Sequence, residues 1–474
     1  MPVTRSSRGR IFVLPLVALA VSAAAAEISG ASTPSNARSQ TGTERPNILV
    51  IVTDDQRATG TLGVMPKTRR FFHRNGTRFK NSFASTPLCC PSRGSIFSGR
   101  YAHNHGLVRA STDPSAFDQG ATIQAHLSAA GYLAAISGKY LNSWDQSTNP
   151  PHFNRWSYFS RGLGNGSNGY YNLVFNVDGV QKPVERYSTH FVRDRALRYL
   201  SWFERRDDRP WFLYVAPFAP HGPAIPEKKY SRATVPSWRS SPAFFEEDVS
   251  DKPRYVQEAQ VSRREIKKLR VRQLRSLKSV DDLVGDLFAK LSRLGEKGNT
   301  LAIFMSDNGF LWGEHGRSAK SVPYSSSVAI PMAVRWPGHV ERGGIDARLA
   351  SNIDIAPTVL HAADATVPQE TQMDGRSMLD SSWTRDRILL EFWEREGDPV
   401  PRWASIRGSD YQYVEYYTDD TDRETVIERE YYDLTSDPWQ LENLLADDEN
   451  GNDPPHWMVE QLSADRRCSS SSCP

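Results

Sequence analysis

Asn47-Ile48-Leu49-Val50-Ile51-Val52-Thr53-Asp54-Asp55 is an unbroken apolar, largely β-branched run that stops at two adjacent carboxylates. A strand that is apolar on both faces is buried on both faces, which is characteristic of parallel strands covered by helices. The same grammar recurs downstream. Leu133 to Ile136, Trp211 to Ala216 and Leu301 to Met305 read as buried strands, the last ending at Ser306-Asp307-Asn308-Gly309. Gln124 to Ala130, His190 to Arg205 and a long stretch ending near Leu294 read as helices. This alternation predicts an α/β fold, a doubly wound sheet flanked by helices.

Past about Arg385 the grammar changes. Ile388 to Phe392, Trp403 to Ile406 and Tyr411 to Tyr417 read as strands separated by polar turns with no helix between them. A smaller C-terminal antiparallel sheet is expected there, ended by Tyr431-Tyr432-Asp433-Leu434-Thr435-Ser436-Asp437-Pro438. Residues 225–262 are charged and punctuated by proline, and read as a surface insertion. The expected division is 45–384 for a catalytic domain and 385–474 for a C-terminal subdomain and tail.

Working back from Asn47, residues 27–44 are rich in Ser, Thr, Gly and Asn and read as a disordered linker. Residues 1–26 carry Arg5, Arg8 and Arg10 ahead of an apolar run from Ile11 to Ala26, the pattern of an export signal. That run is short for a membrane span, and no later segment is long and apolar enough for one. A secreted protein without stable membrane association is expected. Removing residues 1–26 takes away three arginines and no acid, so the formal charge of +3 falls to zero. A nucleic-acid partner is not expected, because the densest basic run, Arg263 to Lys278, has helical spacing and reads as a solvated helix face.

The 474 residues include four cysteines. Cys468 and Cys473, in a Ser-rich tail, read as an end-of-chain disulfide. Cys89 and Cys90 are different. Vicinal cysteines rarely pair with each other, and their spacing does not suit a two-plus-two zinc site. They lead into Pro91, Ser92 and Arg93 and then Gly-Ser-Ile-Phe-Ser-Gly-Arg to Arg100, which reads as a reactive segment.

Ligands in open α/β sheets bind beyond the carboxyl ends of strands. Asp54, Asp55, Asp307 and Asn308 would all stand there, and hard oxygen donors suit Ca²⁺ or Mg²⁺. Adjacent buried carboxylates repel, and a divalent cation resolves that conflict; either pair alone could equally be a turn or a helix cap. Arg93, Lys139 behind Gly138, and Lys320 downstream of Asp307 are cations at strand-end positions, suited to neutralising charge on a transferring group. His221, in Ala216-Pro217-Phe218-Ala219-Pro220-His221-Gly222-Pro223, is a plausible proton donor to a leaving alcohol. His103, His105 and His315 are weaker, substrate-facing candidates, and Trp144, Trp156 and Trp312 are core residues before they are stacking platforms.

These blocks resemble the type I sulfatases from about Arg45 to Leu444. Cys89-Cys90-Pro91-Ser92-Arg93 with Ser98-Gly99-Arg100 is similar to the family signature, and Asn47 to Gln56 and Asp307-Asn308-Gly309 to its metal motifs. Gly131 to Lys139 resembles the second signature, and Tyr432-Asp433-Leu434 to Glu442-Asn443 the terminal motif. The resemblance implies an alkaline-phosphatase-like fold and a sulfuric-ester hydrolase acting on a carbohydrate or aryl sulfate. It implies that Cys89 is converted to formylglycine by a formylglycine-generating enzyme and that a metal, Ca²⁺ or Mg²⁺, is held by Asp54, Asp55, Asp307, Asn308 and the modified Cys89 itself. Arg93, Lys139, His221 and Lys320 would complete the catalytic set, His221 or Lys320 protonating the leaving alcohol, with Asn142 and His315 facing substrate.

Lys139-Tyr140-Leu141 stands where many members have Lys-Trp-His, and Lys-Tyr-Leu-Asn is similar to the glucosamine-6-sulfatase and heparan endosulfatase branch. Ser325, after Tyr324, stands at a usually acidic position. Two competing readings are a phosphomonoester or phosphonate hydrolase of the same superfamily and a non-catalytic secreted binding protein.

Overall fold

Strand β1, Asn47–Thr53, is buried at all 7 positions, as its composition requires. In the computed structural model, which describes residues 45–160, 163–164, 166–393, 397–418, 425–446 and 453–474, β1 is a central strand. The segments read as signal peptide (1–26) and linker (27–44) lie outside the described residues. The other strands of this sheet are β2 (Thr77–Phe83), β3 (Leu133–Lys139), β4 (Arg155–Phe159), β5 (Leu173–Val177) and β6 (Val180–Val184). They continue with β7 (Trp211–Ala216), β8 (Thr300–Ser306), β9 (Met332–Arg335) and β10 (Gly344–Ser351).

The 10-stranded order is β10-β2-β9-β8-β1-β7-β3-β4-β5-β6. Its middle, β8-β1-β7-β3-β4, is parallel throughout. Antiparallel pairings flank this block: β9 with β8 and β2 on one side, β4 with β5 and β5 with β6 on the other. The outer strands escaped the sequence reading for a physical reason. β10, Gly-Ile-Asp-Ala-Arg-Leu-Ala-Ser, and β6, Val-Gln-Lys-Pro-Val, are partly exposed, so they lack the continuous apolar run that marks a strand buried on both faces.

Alternation along β1 sends its side chains into two cores. Leu49 and Ile51 pack with Val192 and Leu200 of helix α3 and Leu274 and Leu283 of α4. Ile48, Val50 and Val52 pack with Ile96 and Phe97 of α1, Leu127 of α2 and Val359 of α5. The helices are α1 (Cys89–Ser98), α2 (Ile123–Ala129), α3 (Ser188–Glu204), α4 (Arg263–Leu294) and α5 (Ile355–Ala362). Helices on both faces make the sheet doubly wound.

The C-terminal sheet is antiparallel, with strands β11 (Ile388–Phe392), β12 (Arg402–Arg407), β13 (Tyr411–Tyr417) and β14 (Val426–Asp433) in sequence order. One face, with Leu390, Trp403 and Val414, packs on Phe83, Leu88 and Tyr324. The other, with Leu389, Ile406 and Tyr413, packs on Met458 and Leu462 of α6, His456–Asp465. Cys468 and Cys473 form the expected disulfide beside that second face.

Residues 225–262 are not only surface. Ala243, Lys252, Tyr255 and Val256 are buried, and Phe245 N–H donates to the Gly313 carbonyl at 2.7 Å. The charged sequence hid this, because the buried Lys252 is satisfied by Asp251 at 2.5 Å and the Leu441 carbonyl at 2.8 Å.

Candidate active site

β1 and β8 pair in register Thr53 to Ser306, so Asp54-Asp55 and Asp307-Asn308 leave the sheet side by side. The Asp307 N–H donates to the Thr53 carbonyl at 3.0 Å, and Asp55 N–H to Asp307 Oδ1 at 3.2 Å. Asp55 has φ 66°, a left-handed conformation that turns its carboxylate back over the strand ends. β7 delivers the Phe218–His221 loop next to β1, where Asp54 N–H meets the Ala219 carbonyl at 3.4 Å.

β3 brings Lys139 to the same edge. Gly138 makes this possible: its φ is 117°, and a Cβ there would lie 2.0 Å from the Ala216 carbonyl oxygen of β7.

Residue 89 is the first residue of α1, a helix buried at all 10 of its positions, so its side chain is fixed at the sheet's carboxyl edge. Pro91 falls in the first turn, where its missing N–H costs nothing, and Gly99 closes the helix in the left-handed region at φ 70°. Gly94 leaves room for His105, whose Cε1 would be 2.7 Å from an added Cβ. Ser92 Oγ donates to the Asp307 carbonyl and accepts from Asn352 Nδ2 at 2.9 Å, fastening α1 to the ends of β8 and β10.

Three carboxylates and three cations meet around Cys89. Lys139 Nζ is 2.6 Å from Asp54 Oδ2. Arg93 contacts Asp307 Oδ2 through Nε at 3.0 Å and Nη2 at 2.8 Å, and donates from Nη1 to the Lys139 carbonyl at 3.1 Å. Lys320 Nζ binds Asp55 Oδ1 and lies 2.8 Å from Cys89 Sγ and 3.2 Å from Asn308 Oδ1. Cys89 Sγ is 3.2 Å from Asp54 Oδ1, and Asn308 Nδ2 donates to Asp55 Oδ1 at 2.7 Å. His221 Nε2 stands 3.7 Å from Asp55 Oδ2, while its Nδ1 is held by the Gly222 carbonyl at 2.7 Å.

Each adjacent carboxylate therefore has its own cation, which offsets the repulsion expected from the sequence. Burial favours the neutral acid at Asp54, but Lys139, His221, Arg93 and Lys320 outweigh it and hold the carboxyl well below the usual range. At Asp55 burial is likewise overcome by Lys320 and His221. Asp307 is pushed up, by burial and then by Asp54, despite Arg93. Burial and the Asp54 charge push the Cys89 thiol far up, so an unmodified Cys89 is a neutral thiol. Both vicinal cysteines are free, and Cys90 is packed into the core at 0% exposure.

The donor set fits a hard cation. Ligand atoms of Asp54, Asp55, Cys89 and His221 lie within 4.8 Å of one another, and Asp307 and Asn308 adjoin them.

The family profile named Sulfatase matches residues 46–365. The chain belongs to the sulfatase family. A second profile, N-sulphoglucosamine sulphohydrolase, C-terminal, matches residues 313–466. Within the family, the chain is 32% identical over 367 residues to the extracellular sulfatase SULF-1 homolog of Drosophila melanogaster, covering 74% of this chain and 32% of that one. It is 29% identical over 462 residues to the human N-acetylglucosamine-6-sulfatase, covering 85% of this chain and 81% of the relative. The chain thus spans about a third of the Drosophila relative's length and 48% of that of a Caenorhabditis elegans relative. The structure in complex with D-glucosamine-2-N,6-O-disulfate has the same fold, with TM-score 0.74, 22% identity, and coverage of 89% of this chain and 97% of that one.

The contacts of other residues singled out from the sequence lie outside the carboxylate and cation cluster. His315 is buried, its Nδ1 2.6 Å from Glu246 Oε2 and its ring 4.2 Å from that of Tyr324. Asn142 is half-buried, with Oδ1 lacking a hydrogen-bond partner, and its backbone N–H serves the Cys90 sulfur. His103 bridges Glu391 at 2.8 Å and the Cys468 carbonyl at 2.9 Å. His105 bonds Ser95 Oγ at 3.1 Å under α1, where burial pushes its pKa down to about 3. Leu141, at the family's histidine position, is core, and Ser325 accepts from Arg407 at 2.9 Å. Sequence reasoning missed Asn352 and gave Ser92, though part of the Cys89 segment, no role of its own. The signal for Asn352 was a polar cluster, Ser351-Asn352-Ile353-Asp354, after a strand too charged to be recognised.

Proposed function

We propose that the protein is a secreted sulfuric-ester hydrolase whose residue 89 acts as formylglycine beside a divalent cation. One observation carries the reading: the residue 89 side chain, at the start of a buried helix, meets Asp54, Asp55 and Lys320, while Lys139 and Arg93 hold the carboxylates beside it. As a thiol it is protonated and enclosed, a poor nucleophile. As the hydrated aldehyde it supplies one hydroxyl to attack sulfur and a second whose deprotonation expels sulfate and restores the carbonyl.

Asp54, Asp55, Asp307 and Asn308 are the residues that would hold the ion, which for an all-oxygen set is Ca²⁺ or Mg²⁺. Bound there, it supplies positive charge to a nucleophile and to sulfate oxygens. Asp54, Asp55 and Asp307 balance Arg93, Lys139 and Lys320 in charge, so a dication leaves the site positive, as an anionic ester requires.

Lys139 and Arg93 are buried, at 2% and 0% exposed, and each is held by a carboxylate. They orient residue 89 and stabilise charge on the transferring group. Lys320 is a fixed cation, its pKa raised by Asp55 against the effect of burial. That leaves proton donation to His221, whose side chain at 23% exposure is the most open of the set and whose Nε2 faces the cluster.

A sulfated carbohydrate is the substrate class, supported by the relative named N-acetylglucosamine-6-sulfatase. Residues 45–384 would form the catalytic part and 385–474 the C-terminal subdomain. Secretion follows from residues 1–26; sequencing the exported protein should find its N-terminus just past Ala26.

In protein made with a formylglycine-generating enzyme, Cys89→Ala should abolish turnover of an aryl sulfate while leaving the urea midpoint within experimental error. Near-normal turnover would sink the assignment, and faster turnover of the matching aryl phosphate would favour the phosphatase reading. Adding Ca²⁺ or Mg²⁺ to chelator-treated protein should raise Tm by several degrees, and Asp54→Asn with Asp307→Asn should remove that rise; a flat melting curve for the parent would eliminate the metal.

A further inference from the structure

Arg263 to Lys278 holds eight Lys or Arg and one acid, Glu265, in a chain whose formal charge is only +3. In the fold this run is the first half of α4. The helix feeds β8, whose carboxyl end carries Asp307, and it crosses back antiparallel to that strand, so its N-terminal half lies at the active-site edge. Contacts confirm the placement: Gln273 Nε2 donates to the Pro220 carbonyl at 3.3 Å, beside His221, and Gln273 Oε1 accepts from Trp312 Nε1 at 2.5 Å.

The cations divide by their partners. Three are committed to carbonyls: Arg263 to that of Phe245 at 3.2 Å, the buried Arg270 to that of Pro236 at 3.1 Å, and Arg275 to that of Ala233 at 3.0 Å. Arg264, Lys267 and Lys268 are exposed and Arg272 half-buried, and with Val271 they line a shallow surface groove. Glu265 binds Lys268 at 2.7 Å and its charge also acts on Arg264 and Arg272, but among the described residues neither of these two nor Lys267 is held in an ion pair, and Arg272 Nε is buried without a partner. The stripe from Arg264 to Arg272 is about 12 Å long at helical rise.

Folding does not call for this arrangement. Cations at a helix N-terminus oppose the macrodipole, and Arg264, Lys268 and Arg272 repeat like charge at i, i+4. A charge cluster that costs stability and flanks a site points to a ligand that neutralises it.

We propose that this stripe is an exosite for a sulfated polysaccharide chain, holding the polymer's neighbouring sulfates while one ester occupies the active site. The inference rests on the sulfate-ester reading given above. A linear polyanion matches a linear row of cations, and the described residues lining this groove include no aromatic ring on which nucleic-acid bases would stack.

The test uses full-length protein made with a formylglycine-generating enzyme and the variant Arg264→Gln, Lys267→Gln, Lys268→Gln, Arg272→Gln. Heparin is the probe, with binding followed by calorimetry across a salt series. The variant should bind heparin at least about tenfold more weakly, with the slope of log K against log salt reduced by about three. Its kcat/KM on 4-nitrophenyl sulfate should be unchanged and its Tm equal to or above that of the parent. Unchanged heparin affinity and slope would overturn the exosite while leaving the hydrolase intact. Tighter binding of a duplex DNA of equal charge would overturn the choice of polysaccharide. Loss of heparin binding in the variant, in protein that hydrolyses no sulfate ester, would retain the exosite and overturn the hydrolase.

Discussion

His221 is the site residue whose role depends most on the substrate. Its Nδ1 is anchored to the Gly222 carbonyl and its Nε2 looks into the cluster, so the ring can present one proton to a leaving oxygen. A sugar alkoxide needs that proton and a nitrophenolate does not. His221→Gln should therefore cost about 10²–10⁴-fold in kcat on a sugar sulfate and under about tenfold on 4-nitrophenyl sulfate. Equal losses on both would assign His221 to binding instead. The residue types at the site were legible because each follows a buried strand or opens the Cys89 segment. The lysines were less so. Nothing local distinguishes Lys139 from a solvated lysine, and its 2% exposure exists only because β3 runs beside β1's neighbour β7.

At the scale of elements, the parallel block β8-β1-β7-β3 was legible because burial on both faces leaves a continuous apolar run, while the exposed outer strands left no such mark. The closeness of these strands at their carboxyl ends is what Gly138 permits. Gly138→Ala should lower unfolding free energy by at least about 2 kcal/mol more than Gly106→Ala, read from urea midpoints. Both residues have positive φ, 117° and 79°, but an added Cβ at Gly106 meets nothing within 4 Å, whereas at Gly138 it meets the Ala216 carbonyl. Equal costs would show that conformation alone, not the approach of β3 to β7, sets the requirement.

Across the whole molecule, the C-terminal sheet and tail are tied to the segment after α1 by His103. Burial opposes its charge, but Glu391, reinforced by the Cys468 carbonyl, raises its pKa from 6.5 to about 9. A folded-state pKa above the unfolded one gives stability that is complete below about pH 6.5 and lost as pH rises through about 9. The stability gap between the parent and His103→Asn should thus shrink by about 3 kcal/mol between pH 6 and pH 9.5, measured by urea unfolding. A gap independent of pH would mean that His103 is neutral in the fold.

On its own, the sequence determined which strands are core, where they stop, and which chemical groups stand at those stops. These are local properties, carried by runs of a few residues. Only the tertiary structure decided which cation serves which carboxylate. Asp54 takes Lys139, 85 residues away, Asp307 takes Arg93, 214 away, and Asp55 takes Lys320, 265 away. Such pairings depend on strand order and on the register of β1 with β8, and neither is encoded within any one segment. The same holds for the basic run of α4: its composition was plain, but its place at the active-site edge follows from the helix returning antiparallel to the strand it feeds.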